Sequence, residues 1–140
     1  MIKKKLLTHA LKNGQKQISE KIFLKSLKFV QKHQKKSHSE IIKLLLTNIA
    51  PIFKIVKLKN KNRKKNFVKE IPTFLSNYDY RISWGIKYFM EISTSKQSIY
   101  NQLQFEILSN LSREGNTVKF KNKLQNETLV KKKYFKYYRW

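Results

Sequence analysis

Seven cations fall between positions 54 and 65, namely Lys54, Lys57, Lys59, Lys61, Arg63, Lys64 and Lys65, with no acid among them. Such groups bind phosphate, lysine as a compact point charge and arginine as a planar fork. A cluster this dense, without local counter-charge, holds a high positive potential whose complement is a polyanion. Weaker series repeat the theme. Lys16, Lys21, Lys25, Lys28 and Lys32 recur near a four-residue spacing, Lys119, Lys121 and Lys123 alternate, and Lys131-Lys132-Lys133 and Lys3-Lys4-Lys5 are runs. These series also suit the wet face of a helix; phosphate contact is the preferred reading. At the end of the chain, Tyr137, Tyr138, Arg139 and Trp140 mix aromatics with a guanidinium. Phe135 and Tyr138 read as core, whereas Arg139 and Trp140 suit stacking on RNA or on a neighbouring protein.

Other chemistries find no footing. Cys is absent, which removes disulfides, thiolate metal sites and a cysteine nucleophile. His9, His33 and His38 share no ligand spacing. Glu20, Glu40 and Asp79 read as helix-terminus residues, and no pair among the 8 acids suggests general acid–base work. The three glycines lie too far apart for a phosphate-cradling loop. No stretch reaches the ~18 uncharged apolar residues of a membrane span. The expectation is a non-enzymatic protein without metal or cofactor.

The whole chain carries the same bias. Its 140 residues suit one domain, 1–140, and 40% hydrophobic with 13% aromatic residues is enough for a core. Lys and Arg number 32 against 8 Asp and Glu, a net charge of +24. A compact body so charged repels itself, and nucleic acid is the usual partner that offsets this. Only Arg63, Arg81, Arg113 and Arg139 are arginines, and Ala is confined to Ala10 and Ala50. Lys, Asn, Ile, Phe and Tyr have AT-rich codons, so the composition points to an AT-rich, organelle-like genome. The start, Met1-Ile-Lys-Lys-Lys-Leu-Leu, is read as neither a signal nor a transit peptide. An organelle-encoded product is therefore expected. A general, nucleoid-type nucleic-acid-binding protein is the alternative on charge alone. A membrane-surface role would need exposed apolar faces, which are not expected.

The cations must be positioned by helices. Ile2, Leu6, Leu7, Ala10 and Leu11 share a helical face. A second helix is expected from about Gln17 to Gln31, with Ile18, Ile22, Phe23, Leu27 and Val30 inward. Ser37 to Glu40 reads as a capping box for a third, which Pro51 stops. Phe53–Lys59 and Asn66–Ile71 then alternate as strands around the basic loop 60–65, predicting a projecting β-hairpin over about 53–72. Ser76 to Asp79 reads as a second capping box, opening a central helix to about Ser93 in which Trp84 and Tyr88 add a second buried stripe. A fifth helix spans about Lys96 to Arg113, closed by Gly115 in a positive-φ conformation. Asn116 to Lys123 reads as a loop before a last helix, Leu124 to Tyr137. The predicted class is mainly α: a six-helix bundle with one projecting β-hairpin inserted between the third and fourth helices.

In order along the chain, the residues resemble the small-subunit ribosomal protein S-seven family of bacterial, mitochondrial and chloroplast ribosomes. The family stretch G-K-K-x-x-A-E-K-I-x-x-x-A-L is similar to Gly14-Gln-Lys16-Gln-Ile-Ser-Glu20-Lys21-Ile22-Phe-Leu-Lys-Ser-Leu27. N-V-x-P and V-P around its hairpin resemble Asn48-Ile-Ala-Pro51 and Ile71-Pro72. R-x-x-x-A-I-R-W-L-x-E resembles Arg81-Ile-Ser-Trp-Gly85-Ile86-Lys87-Tyr88-Phe89-Met-Glu91. R-L-x-x-E-L-L resembles Gln102-Leu103-Gln-Phe-Glu106-Ile-Leu108. G-x-A-V-K-K resembles Gly115-Asn-Thr-Val118-Lys119-Phe, and A-F-x-H-Y-R-W resembles Tyr134-Phe135-Lys-Tyr-Tyr138-Arg139-Trp140. The chain departs at the hairpin tip, which lacks the family's paired glycines, and at the lead-in, reduced to Lys3, Lys4 and Lys5.

The resemblance implies a helical bundle with a β-hairpin arm, agreeing with the pattern. It implies binding to the 3′ domain of small-subunit rRNA in the head of the subunit. Partners would be other proteins of the head and platform, with the arm near the exit-site tRNA and the mRNA path. No homo-oligomer is expected. The resemblance adds Arg81 to the RNA-binding candidates. The expected compartment is the mitochondrial ribosome, with a plastid second.

Overall fold

A computed structural model describes residues 6–9, 16–59, 68–93 and 99–137. Among them the chain forms six α-helices and one two-stranded antiparallel sheet inserted between the third and fourth, as the sequence predicts. Helix α1 covers residues 6–9, α2 is Lys16–Gln34, and α3 is His38–Ile49. The hairpin is β1, Phe53–Lys59, and β2, Val68–Phe74. Then come α4, Tyr78–Ser93; α5, Ile99–Leu111; α6, Asn116–Val130; and a 3-10 helix, Lys132–Tyr137.

The core follows the apolar stripes. Leu6 and Leu7, Phe23 and Leu27 of α2, Ile41, Leu45 and Ile49 of α3, Ile82, Ile86 and Phe89 of α4, and Leu103 and Ile107 of α5 form one buried cluster. Each such side chain contributes about 1.5–3 kcal/mol by leaving water. Ile18 is an exception at 52% exposed. The capping box of α3 forms as read: Ser37 Oγ accepts from the Glu40 N–H, and the Glu40 carboxylate accepts from the Ser37 N–H. Gly85 lets α4 pass against the end of α3, since a Cβ there would meet the Ile49 carbonyl oxygen at 3.0 Å.

Four local expectations are corrected. The cap of α4 is Asn77, whose side-chain oxygen accepts from the Asp79 N–H, not Ser76. The positive-φ residue closing α5 is Arg113, at φ 65°; Gly115 has φ −64° and is the N-cap of α6. Residues Asn116 to Lys123 are therefore the first half of a helix rather than a loop. An uninterrupted N-cap needs no loop, and Val118 and Leu124 bury the face it presents. Finally, Trp84 and Tyr88 are only half-buried, because α4 turns its Ile82, Ile86, Phe89 and Met90 face to the core instead.

The strands pair from Phe53 opposite Phe74 to Lys59 opposite Val68. Strand β2 runs to Phe74, beyond the expected Ile71, and carries Pro72 opposite Ile55. A two-stranded sheet consists of edges, so the missing proline N–H is tolerated there. Seven residues at about 3.3 Å each give an arm of roughly 23 Å. At its foot, Phe53 packs edge-on to Phe74 at 5.8 Å and stacks on Phe135 of the 3-10 helix at 5.6 Å. Phe135 thus packs inward, as read. Strand β1 also lies against α6, and β2 against the 3-10 helix.

Candidate nucleic-acid interface

The structure sorts the predicted cations into those facing solvent and those already committed. On α2, Lys16 and Lys21 are exposed, as are Lys25, Lys28 and Lys32. Helix α6 exposes Lys119 and Lys123, and the 3-10 segment exposes Lys132 and Lys133. These groups sit on the wet faces of helices whose other faces form the core. Their spacing is fixed by the helix, so several phosphates can be met in one geometry.

Other candidates are tied down. Lys131 donates to the Glu70 carboxylate at 2.5 Å, and Lys57 approaches the same carboxylate at 3.4 Å. The arm is therefore not free of acid as the run 54–65 suggests, because β2 brings Glu70 opposite Lys57. Hydrogen bonding and charge from Lys131, then Lys57, hold Glu70 below the ordinary carboxylate value. Lys121 donates to the Asn48 carbonyl oxygen at 2.7 Å, and burial, then the nearby charge of Arg113, lowers its pKa. Arg81 donates through Nε to the Leu75 carbonyl oxygen at 2.5 Å and lies over the Phe74 ring at 5.2 Å. It pins the turn from β2 into α4. Lys54 leaves the face of β1 opposite Lys57 and sits over the Tyr80 and Trp84 rings at 5.2 and 5.6 Å. Of Lys59 only the backbone is described. Lys3, Lys4, Lys5, Lys61, Arg63, Lys64, Lys65, Tyr138, Arg139 and Trp140 lie outside the described residues.

Sequence reading missed the group that orients α6. Glu106 is 1% exposed and accepts from the Thr117 N–H at 2.9 Å, Thr117 Oγ1 at 2.8 Å and Asn110 Nδ2 at 2.9 Å. Asn110 Oδ1 in turn accepts from the Val118 N–H. Two N–H groups of the first turn of α6 are thus satisfied by side chains of α5. That fixes the helix bearing Lys119, Lys121 and Lys123. The signal was present: Glu106 lies one turn from both Leu103 and Asn110 on the inward face of α5.

The described residues form a helical body with exposed lysines on its outer faces and a two-stranded arm that carries Lys54, Lys57 and Lys59. Residues 1–128 match the family described as Ribosomal protein S7p/S5e, and the chain belongs to that family. It is 25% identical over 121 residues to the small ribosomal subunit protein uS7c of Tetradesmus obliquus, covering 85% of this chain and 70% of that one. It is 24% identical over 135 residues to uS7c of Bigelowiella natans, covering 90% and 82%. It is 25% identical over 139 residues to uS7 of Caldicellulosiruptor saccharolyticus, covering 97% and 85%. The chain is thus a structural, non-enzymatic protein of the small ribosomal subunit.

Proposed function

We propose that the chain binds the 3′ domain of small-subunit rRNA and helps assemble the head of the subunit. Its neighbours are other proteins of the head and platform, and its arm reaches towards the exit-site tRNA and the mRNA. The observation that carries this reading is the set of exposed lysines on α2, α6 and the 3-10 segment, held in fixed register by one core. Phosphates that folded RNA brings together are met by Lys16, Lys21, Lys119, Lys123, Lys132 and Lys133. The arm adds Lys59, Lys61, Arg63, Lys64 and Lys65, and the termini add Lys3, Lys4, Lys5, Arg139 and Trp140. Lys54 and Lys57 add the foot of the arm, the Lys57 side chain being largely exposed, and Arg81, Lys121 and Lys131 shape this surface from within. The AT-shaped composition supports an organellar ribosome. We put the mitochondrion first and a plastid second; the three relatives do not favour the mitochondrion.

The test separates arm from body. Changing Lys61, Arg63, Lys64 and Lys65 together to Gln alters the segment that the sequence predicts to be a projecting loop, and surface changes of that kind shift stability by less than about 0.5 kcal/mol. The variant is expected to enter small subunits through its body lysines. Chemical probing of rRNA in purified subunits should then show altered reactivity only near the exit site. Wild-type reactivity there would mean that the arm points elsewhere. Exclusion of the folded variant from subunits would make the arm the primary anchor.

A further inference from the structure

The outward face of α4 carries Tyr80, Trp84 and Tyr88 at four-residue intervals, one stripe of the helix. The Tyr80 and Trp84 centroids are 6.3 Å apart, Trp84 and Tyr88 5.6 Å, and Tyr88 and Phe120 of α6 4.7 Å. The four rings form a continuous ridge across two helices. It is not core: Tyr80 is 47% and Phe120 39% exposed, with Trp84 and Tyr88 half-buried between them. Two ammonium groups flank it. Lys54, from the foot of the arm, sits over Tyr80 and Trp84, and Lys87 lies over Trp84 at 5.0 Å while pairing with Glu91 of its own helix at 4.0 Å.

We propose that the Tyr80–Trp84–Tyr88–Phe120 ridge, with Lys54 and Lys87, is a stacking platform for unpaired RNA bases. The inference rests on the rRNA-binding reading and names a second mode of contact within it. Aromatic rings beside cations are what single-stranded RNA uses: bases stack on the rings while the backbone phosphates neutralise the ammonium groups. An apolar protein knob seated on the same ridge would have to desolvate Lys54 without neutralising it. The placement beside the arm's foot lets one RNA segment run from the ridge onto the basic hairpin.

The test uses the full chain and two labelled ten-nucleotide strands of equal charge, one an unstructured RNA and the other an abasic ribose-phosphate backbone, with binding read by fluorescence anisotropy. The wild type is expected to bind the base-bearing strand at least tenfold more tightly. Trp84→Ala should lose roughly tenfold on that strand and nothing on the abasic one. Trp84→Phe, which keeps a ring, should retain most of the affinity. Tyr80→Ser, at the exposed rim, carries the same test should Trp84→Ala fail to fold by circular dichroism. Equal loss on both strands, or no loss on either, overturns the platform and leaves the ridge to a protein neighbour. An rRNA 3′-domain transcript is titrated alongside. If the wild type binds it with steep salt dependence while Trp84→Ala has no strand-specific effect, only the platform falls. If the wild type binds neither transcript nor strand, the rRNA-binding reading falls with it.

Discussion

The Glu106 carboxylate, 1% exposed, is tied to the opening residues of α6 through Thr117 and to Asn110 of its own helix. Glu106→Ala would take the acceptor from the buried Thr117 N–H and hydroxyl, at about 1–3 kcal/mol each, while the Asn110 amide keeps its bond to the Glu106 backbone carbonyl. The expected loss is on the order of 3 kcal/mol, seen by circular dichroism as a fall in Tm of roughly 10 °C. Glu106→Gln keeps one accepting oxygen and should lose about half as much. Equal losses for the two variants would show that the ionised carboxylate itself, and not one accepting oxygen, holds the network. Gly115 and Arg113 make a second pair at this scale. A Cβ on Gly115 would come within van der Waals overlap of Asn110 Oδ1, although its φ of −64° suits any residue. Gly115→Ala should therefore lower Tm through collision with the same network. Arg113→Gly should hold or raise it, because a non-glycine residue at φ 65° bears about 1–2 kcal/mol of strain. The reverse ranking would show that neither the collision at Gly115 nor the strain at Arg113 governs stability here.

At the scale of elements, the arm stays aligned with the body because Lys131 of the α6 C-cap reaches Glu70 of β2. Glu70 lies below its ordinary value of 4.5 because of Lys131 first and Lys57 second. A depressed carboxylate contributes stability that is complete above its unfolded pKa and lost as pH falls through the folded one. Unfolding followed from pH 7 to 3 should show wild-type stability declining below about 4.5, and Glu70→Gln should flatten part of that decline. Glu40, lowered first by the Ser37 backbone N–H, supplies a second contribution on the same limb. An identical acid limb in Glu70→Gln would mean the bridge does not outlast solvent exposure. The helices and the hairpin were legible because apolar spacing changes from 3.6 to 2 and back, and the Ser37–Glu40 box is local. The start of α6 was not, because its cap comes from Glu106, ten residues upstream. Likewise, the lysine series announced the candidate surface, but not which members are spent inside. Lys121 meets Asn48 and Lys131 meets Glu70, 73 and 61 positions away, distances that periodicity does not read.

For the whole molecule, a net charge of +24 on a body with one shared core means that folding concentrates cations which only a polyanion relieves. In the proposed function, the exposed lysines of α2, α6 and the 3-10 segment, together with the arm, are the electrostatic footprint that meets the rRNA. The account makes binding chiefly a release of counterions from RNA, with the ridge on α4 as a local addition. The most direct measurement is the affinity of the full chain for an rRNA 3′-domain transcript across a salt series. If about 8 phosphates are neutralised, log K should fall with log salt at a slope of roughly −7. Changing Lys16, Lys21, Lys119 and Lys123 to Gln should make that slope shallower by about 4 times 0.9, in units of the same plot. A wild-type slope near zero, or one that these four substitutions leave unchanged, would contradict the account.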